Sequence, residues 1–259
     1  METRQHRQIR LAQNFLQSPK LVSRLIRMSS IGPSDIVYEI GPGNGIITAA
    51  LARVAGQVIA IEKDPKFVCL LRERFRLLDN VEIVEKDFLA YSFSGCKIFA
   101  NIPFNITAQI LRKLLDERSH LDEGFLILQK EAAQKFSGSP RETLVSILAK
   151  PFFEFQILSR LKRTDFRPMP NADSVLLSIK RRTQPLIHTQ DLALFRDFVR
   201  YGFRSWKPNL KLAYKHVFTY KQWKRLAREL AFPLNATPTE LSIEQWLELY
   251  RRFKHRESS

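Results

Sequence analysis

Asn101-Ile102-Pro103-Phe104 places an amide side chain, a carbonyl stiffened by the proline that follows it, and an aromatic ring side by side. The Asn101 amide oxygen and the Ile102 carbonyl can each accept a hydrogen bond from an exocyclic amine, while Phe104 stacks the flat ring carrying that amine. Asn and Pro also favour turns, so the segment taken alone would serve equally as a plain turn with Phe104 in the core. A second constellation lies upstream, where Gly41, Gly43 and Gly45 cluster in a chain that has only nine glycines. Glycines at a strand-to-helix junction let the backbone turn sharply and let a ligand approach main-chain amides, as a nucleotide-type cofactor requires. No Gly-Lys-Ser/Thr follows, which excludes a phosphate-binding P-loop. Glu62 stands 21 positions after Gly41, where an acid at a strand end accepts hydrogen bonds from both ribose hydroxyls.

The elements that must hold these residues follow from the apolar pattern. Short runs at Ile36 to Ile40, Val58 to Glu62, Val81 to Glu85, Ile98 to Ala100 and Phe125 to Leu128 are predominantly apolar and rich in β-branched residues, as buried parallel strands are. Helical stretches such as Ile46 to Val54 and Pro65 to Leu77 separate them. The glycines then follow the first strand, Glu62 ends the second, and Asn101 to Phe104 ends the fourth, where active sites of open α/β sheets gather. Phe152 to Leu158 and Val175 to Ile179 predict a hairpin-like antiparallel ending to the sheet, joined by a loop over Phe166 to Ser174. After Pro185 the strand signal stops, and helices are expected at Asp191 to Arg204, Tyr220 to Leu230 and Ile243 to Phe253.

Composition narrows the function. A chain of 259 residues with 44% hydrophobic residues can bury a core and is long enough for a main domain and a smaller one. Its longest uncharged stretch, Ile98 to Leu111, is 14 residues, short of the roughly 18 needed to span a bilayer. No apolar run follows Arg4, Arg7 and Arg10, so a secretory signal is not expected and a cytoplasmic location is. Cys69 and Cys96 have no metal-ligand spacing and read as structural thiols. The scattered histidines offer no metal site, and the sequons at Asn105 and Asn235 carry no meaning in a cytosolic chain. Net charge is +16, of which +9 falls after Lys180. Such a field attracts polyanions, nucleic acid foremost.

Gln13-Asn14-Phe15-Leu16, Glu39-Ile40-Gly41-Pro42-Gly43-Asn44-Gly45, Asp87-Phe88, Asn101-Ile102-Pro103-Phe104 and Phe166-Arg167-Pro168-Met169-Pro170 occur in the order typical of ribosomal RNA adenine dimethyltransferases, which the chain resembles over nearly its whole length. Ile102 and Phe104 make it most similar to the Erm branch, which modifies one adenine of 23S ribosomal RNA and confers macrolide, lincosamide and streptogramin B resistance. The KsgA-like branch, which modifies small-subunit RNA and usually reads Asn-Leu-Pro-Tyr, is the second reading.

The resemblance implies a Rossmann-like class I methyltransferase sheet with a small C-terminal helical domain. Residues 1–182 would form the catalytic domain and 183–259 a basic RNA-binding one. Gln13, Asn14 and Leu16 would close over S-adenosylmethionine, Glu39, Gly41 and Gly43 would line its methionine end, and Glu62 would hold its ribose. Lys63, Asp87 and Phe88 would border its adenine. Asn101 would meet both the sulfonium end and the target amine, with Ile102, Pro103 and Phe104 completing the catalytic segment and Phe166 covering the other face of the target base. Lys63 departs from the family, which has an apolar residue there, and its methylenes would substitute. Ala172 departs where the family commonly has Val. Arg4, Arg7, Arg10, Arg200, Arg204, Lys207, Lys211 and Lys215 are the expected phosphate contacts. A monomer without metal, acting on protein-free 23S RNA, is expected. A non-catalytic RNA-binding relative would keep the fold and charge without needing both motifs, and a dinucleotide-dependent dehydrogenase would need neither Asn101 to Phe104 nor the charge.

Overall fold

From Ile36 onward, apolar runs become strands and the segments between them become helices. The computed structural model describes residues 14–257 with the exception of 94, 117 and 118. Gln13, Arg4, Arg7 and Arg10 lie outside the described residues. The elements of the sheet region are β1 (Phe15–Leu16), α1 (Pro19–Arg27), β2 (Ile36–Ile40), α2 (Ile46–Leu51), β3 (Gln57–Glu62), α3 (Pro65–Phe75), β4 (Val81–Glu85), β5 (Cys96–Asn101), α4 (Thr107–Leu114) and β6 (Leu121–Gln129). Then come α5 (Lys130–Ser137), α6 (Leu144–Ala149), β7 (Phe153–Leu161), β8 (Phe166–Arg167), β9 (Ser174–Arg181), α7 (Leu192–Arg204), α8 (Leu210–Ala213), α9 (Tyr220–Glu229) and α10 (Ile243–Glu257).

Seven strands form one sheet in the order β4-β3-β2-β5-β6-β9-β7. β2 pairs in parallel with β3 on one side and β5 on the other, so the winding reverses between β2 and β5. A crevice opens at the carboxyl ends of the strands at such a reversal. β9 runs antiparallel to β6 and lies between it and β7, so the two late strands do not simply extend the sheet in chain order. β5 and β6 run longer than their apolar runs, because ladder hydrogen bonds continue through polar residues: Asn101 pairs with Ile127 and Glu123 with Lys180.

The segment expected as a loop over Phe166 to Ser174 begins with a strand. Phe166 pairs with Leu16 and Arg167 with Phe15, making the separate two-stranded β1–β8 ribbon. Two residues are too short a run to read from periodicity, and pairing comes from a partner about 150 positions away. α1 follows this ribbon, capped by the Ser18 hydroxyl, which accepts from Leu21 N at 3.2 Å, with Pro19 in its first turn. Such a cap contributes about 1 kcal/mol. Val22, Leu25 and Ile26 of α1 are buried with Leu16, Val37, Val58, Phe99, Phe125 and Phe166 in one core cluster.

The chain divides into two units. The first comprises the described residues of Met1–Ala133 together with Glu154–Arg181, and the second Gln134–Phe153 with Arg182–Ser259. Residues 134–153, which a reading along the chain leaves within 1–182, thus belong with the helical unit, where Glu142 N donates to Thr239 O at 3.1 Å. Aromatic residues fill this second unit. Tyr214 stacks on Phe198 at 4.6 Å between ring centroids and donates its hydroxyl to Phe198 O at 2.6 Å. Trp223 and Trp246 are buried, their indole N–H groups satisfied by Leu234 O and Pro238 O. A buried indole needs such a partner. No helix among the described residues is long and apolar enough to cross a membrane. Cys69 is exposed on α3 and Cys96 is buried in β5; both are free thiols.

Candidate active site

Strand periodicity aims the chemistry. Side chains two apart share a face, so Glu39 follows Val37, Glu62 follows Val58 and Ala60, and Asn101 follows Phe99. Val37, Val58 and Phe99 pack in the cluster beneath α1 and α2, which puts the three polar residues at the ends of β2, β3 and β5 on that same side.

Asn101 is tethered to the N-terminal segment. Its Nδ2 donates to the Asn14 carbonyl at 2.7 Å, which turns Oδ1 away from that bond as an acceptor. Ile102 N donates to Ile127 O at 2.9 Å, extending the β5–β6 ladder by one residue. The Ile102 carbonyl receives no hydrogen bond from the described residues, whereas the Pro103 carbonyl accepts from Ile106 N and Thr107 Oγ1. Among the described residues two acceptors, Asn101 Oδ1 and Ile102 O, are therefore free at the strand end beside the half-buried ring of Phe104.

These residues line a cleft with Asn14, Phe15 and Leu16 on one wall and Gly41, Pro42, Asn44, Ile46 and Ile47 on another. None of the described lining residues is acidic, basic, His, Cys or Tyr. Gly43 needs its small size as well as its positive φ of 55°, because a Cβ there would lie 2.5 Å from the Phe15 ring. Gly41, at φ 64°, has no described residue within 4 Å of a Cβ position, so the loop presents open backbone there to the described residues.

The two acids support this loop in different ways. Glu62 is buried, and its carboxylate accepts from Gly43 N at 3.2 Å, Lys63 N at 2.8 Å and Asp64 N at 2.9 Å. It ties the glycine turn to the end of β3 before any ligand arrives. Glu39 is also buried, and burial first of all pushes its carboxyl up to about 8 against the Thr48 hydroxyl, which donates to Oε2 at 2.6 Å. Its Oε1 is buried without a partner among the described residues, two residues before Gly41. An orphaned carboxyl oxygen behind an open glycine backbone suits a ligand that brings a cationic or N–H group to that point. At the far rim, Asp87 Oδ1 accepts from Leu89 N at 2.9 Å, and Lys63 Nζ lies 3.9 Å from Asp87 Oδ2. Lys63 thus reaches along the edge toward Asp87 rather than away from it. Phe88 is buried beside Phe93, their rings stacked at 5.6 Å.

Leu16 lines the cleft yet is almost wholly buried, and Phe166 is 1% exposed within the core cluster. Phe166 does not line the cleft: its pairing with Leu16 draws the ring into the core. Two participants escape a reading of motifs. Phe15 belongs to a motif yet its contact with Gly43 is tertiary, and Lys113 carries no motif at all. Its ammonium donates to the carbonyls of Phe88 at 2.5 Å, Leu89 at 3.0 Å and Tyr91, and sits 4.8 Å from the Phe88 ring centroid, holding the segment after Asp87.

The model of the ribosomal RNA adenine dimethylase family matches residues 4–255. A "Ribosomal RNA small subunit methyltransferase A" of Prosthecochloris aestuarii is 34% identical over 219 residues, covering 82% of this chain and 83% of the relative. An "rRNA adenine N-6-methyltransferase" of Bacillus licheniformis is 29% identical over 244 residues, 92% of this chain and 84% of its own. The crystal structure of the 23S rRNA methyltransferase ErmE superposes with a TM-score of 0.86 at 27% identity, covering 93% of this chain and all of that one.

Proposed function

Because the chain belongs to the ribosomal RNA adenine dimethylase family, and so is an S-adenosylmethionine-dependent rRNA adenine methyltransferase, we propose that its target is N6 of one adenine in 23S ribosomal RNA. The likeness to ErmE over the whole of that structure carries this reading, together with Ile102 and Phe104 in the catalytic segment. The 34% identity to a small-subunit enzyme favours 16S RNA as the second reading.

The residues at hand suit such a transfer. Gly41, Gly43 and the Glu39 carboxyl would hold the methionine end of the cofactor, Glu62 its ribose, and Asp87 with Lys63 and Phe88 its adenine, while Asn14 and Leu16 close the side. Bound there, S-adenosylmethionine supplies an electrophilic methyl group on a sulfonium sulfur. Adenine N6 is a poor nucleophile because its lone pair is delocalised into the ring. Asn101 Oδ1 and the Ile102 carbonyl would accept its two hydrogens and favour a pyramidal nitrogen aligned for attack, Pro103 fixing that carbonyl and Phe104 the ring plane. With no titratable group in the described lining, the surplus proton goes to solvent after transfer and no general base is assigned. The adenine must first leave its stack, which costs a few kcal/mol, about the worth of one or two such contacts. Phosphate contacts from Arg200, Arg204, Lys207, Lys211 and Lys215 would offset part of this.

Primer extension on both ribosomal RNAs, after expression in a susceptible strain lacking its small-subunit enzyme, tests the target. A single stop in 23S RNA with acquired macrolide resistance is expected. Modification of adjacent adenines in 16S RNA, with 23S RNA untouched, would assign the chain to the second reading.

A further inference from the structure

α7 ends at Arg204 and Asn209 caps α8, leaving residues 205–209 as a connecting loop. Trp206 in this loop is 84% exposed, whereas Trp223 and Trp246 in the same unit are 1% and 0% exposed. The loop is ordered by its own hydrogen bonds: Lys207 N donates to Ser205 Oγ at 3.3 Å and Leu212 N to Asn209 Oδ1 at 3.0 Å. Lys207 Nζ lies 3.3 Å from the centroid of the Trp206 ring, a cation–π contact that covers one face of the indole and fixes its plane.

The cations on either side of Trp206 in sequence are unneutralised among the described residues. Arg204, Lys207, Lys211 and Lys215 flank it in sequence, and among the described residues no carboxylate lies within 4.0 Å of any of them. Arg200, one turn earlier, is paired with Asp197 at 3.4 Å. An exposed aromatic face covered on one side by Lys207, with further free cations within nine positions of it in sequence, is complementary to an unpaired nucleobase followed by phosphates, since every base has a π-face and every linkage a negative charge. A duplex offers the charge without the accessible face, and an anionic lipid surface offers no flat ring.

We propose that Trp206 and Lys207 form a stacking platform for an unpaired base of the RNA substrate, with Arg204, Lys211 and Lys215 holding the adjoining phosphates. The proposal rests on the ribosomal RNA reading for its natural ligand. It makes the helical unit a reader of single-stranded RNA and not only a source of positive field.

The test uses the full chain and its Trp206→Ala and Trp206→Phe variants, with cofactor calorimetry as the check that each is folded. Binding is measured with a short oligoadenylate strand, with the same strand in duplex form and with phosphatidylglycerol vesicles. Trp206→Ala should weaken single-strand binding about tenfold, the order of one lost stacking contact, while Trp206→Phe keeps most of it and duplex binding changes little. Oligoadenylate should quench the exposed indole in the parent chain. Equal loss for strand and duplex, unchanged strand binding in Trp206→Ala, or quenching by vesicles and not by RNA would each overturn the platform. If the parent chain quenches with oligoadenylate yet methylates no ribosomal RNA, the enzymatic reading fails and the platform stands. Full methylation with an unchanged KM for RNA in Trp206→Ala sinks the platform alone.

Discussion

Asn101 Nδ2 donates to the Asn14 carbonyl at 2.7 Å, across 87 positions of sequence. One amide thereby does two things: its nitrogen holds Asn14 against the end of β5, and among the described residues its oxygen is left as an acceptor beside the free Ile102 carbonyl. Neither Asp nor Ala can do both, because Asp has no donor and Ala has neither group.

Asn101→Ala should therefore lower single-turnover methyl transfer by roughly 10² or more, as when one preorganised transition-state hydrogen bond is removed. Cofactor affinity, measured by calorimetry, should fall less than turnover. Near-normal turnover with purified RNA would remove Asn101 from contact with the target amine.

Phe104 borders the two acceptors with a half-buried ring. Phe104→Tyr should be tolerated and Phe104→Leu should be slow, since a face-on base needs the aromatic plane and not merely apolar volume. Steady-state rates with saturating cofactor distinguish the two; equal rates would mean that the ring is only packing.

Glu39 holds its proton in the folded chain up to about pH 8, against an ordinary value of 4.5, because burial disfavours the charged form. Across that window the unfolded chain has already lost the proton, so the folded state binds more protons and stability falls as pH rises. Glu39→Gln keeps the shape without the titration. Thermal melts without cofactor should show the variant losing less stability than the parent between pH 5 and 8. Parallel pH profiles would place the titration elsewhere.

Lys113 is anchored on three carbonyls behind Asp87, and burial holds its ammonium below the usual lysine range. Lys113→Met should leave those carbonyls unpaired and loosen the segment that presents Asp87 and Phe88. Cofactor affinity should drop about tenfold, the equivalent of about 1.4 kcal/mol, with kcat at saturating cofactor nearly unchanged. A fall in kcat with intact affinity would assign Lys113 to the chemical step instead.

RNA affinity should depend steeply on salt. About six phosphate contacts would cost on the order of 10³ in affinity between 50 and 200 mM salt by the duplex slope. Filter binding across that range, with Arg204 and Lys211 exchanged for Gln, should show the slope shrinking by close to one unit per charge. A flat profile would mean that the +16 charge serves something other than RNA.

The order of residues in this chain already determined where chemistry could reside. Gly41 to Gly45, Glu62 and Asn101 to Phe104 each follow an apolar run, and alternation along Val37-Tyr38-Glu39 and Phe99-Ala100-Asn101 sends the polar side chains to one face. These are local rules, because a strand's period and a glycine's freedom depend only on near neighbours. Strand order is different: nothing near Val175 says that β9 inserts between β6 and β7, since that depends on pairing with residues some 50 positions away. The Asn101–Asn14 tether, the Phe15 ring against Gly43, the withdrawal of Phe166 into the core and the Lys113 carbonyl cage are likewise decided by long-range packing. Exposure was decided there too: Trp206, Trp223 and Trp246 are the same residue type in the same basic third of the chain, and only the folded aromatic core left Trp206 outside. A side chain's burial is a property of what packs over it, and that is set by the whole fold.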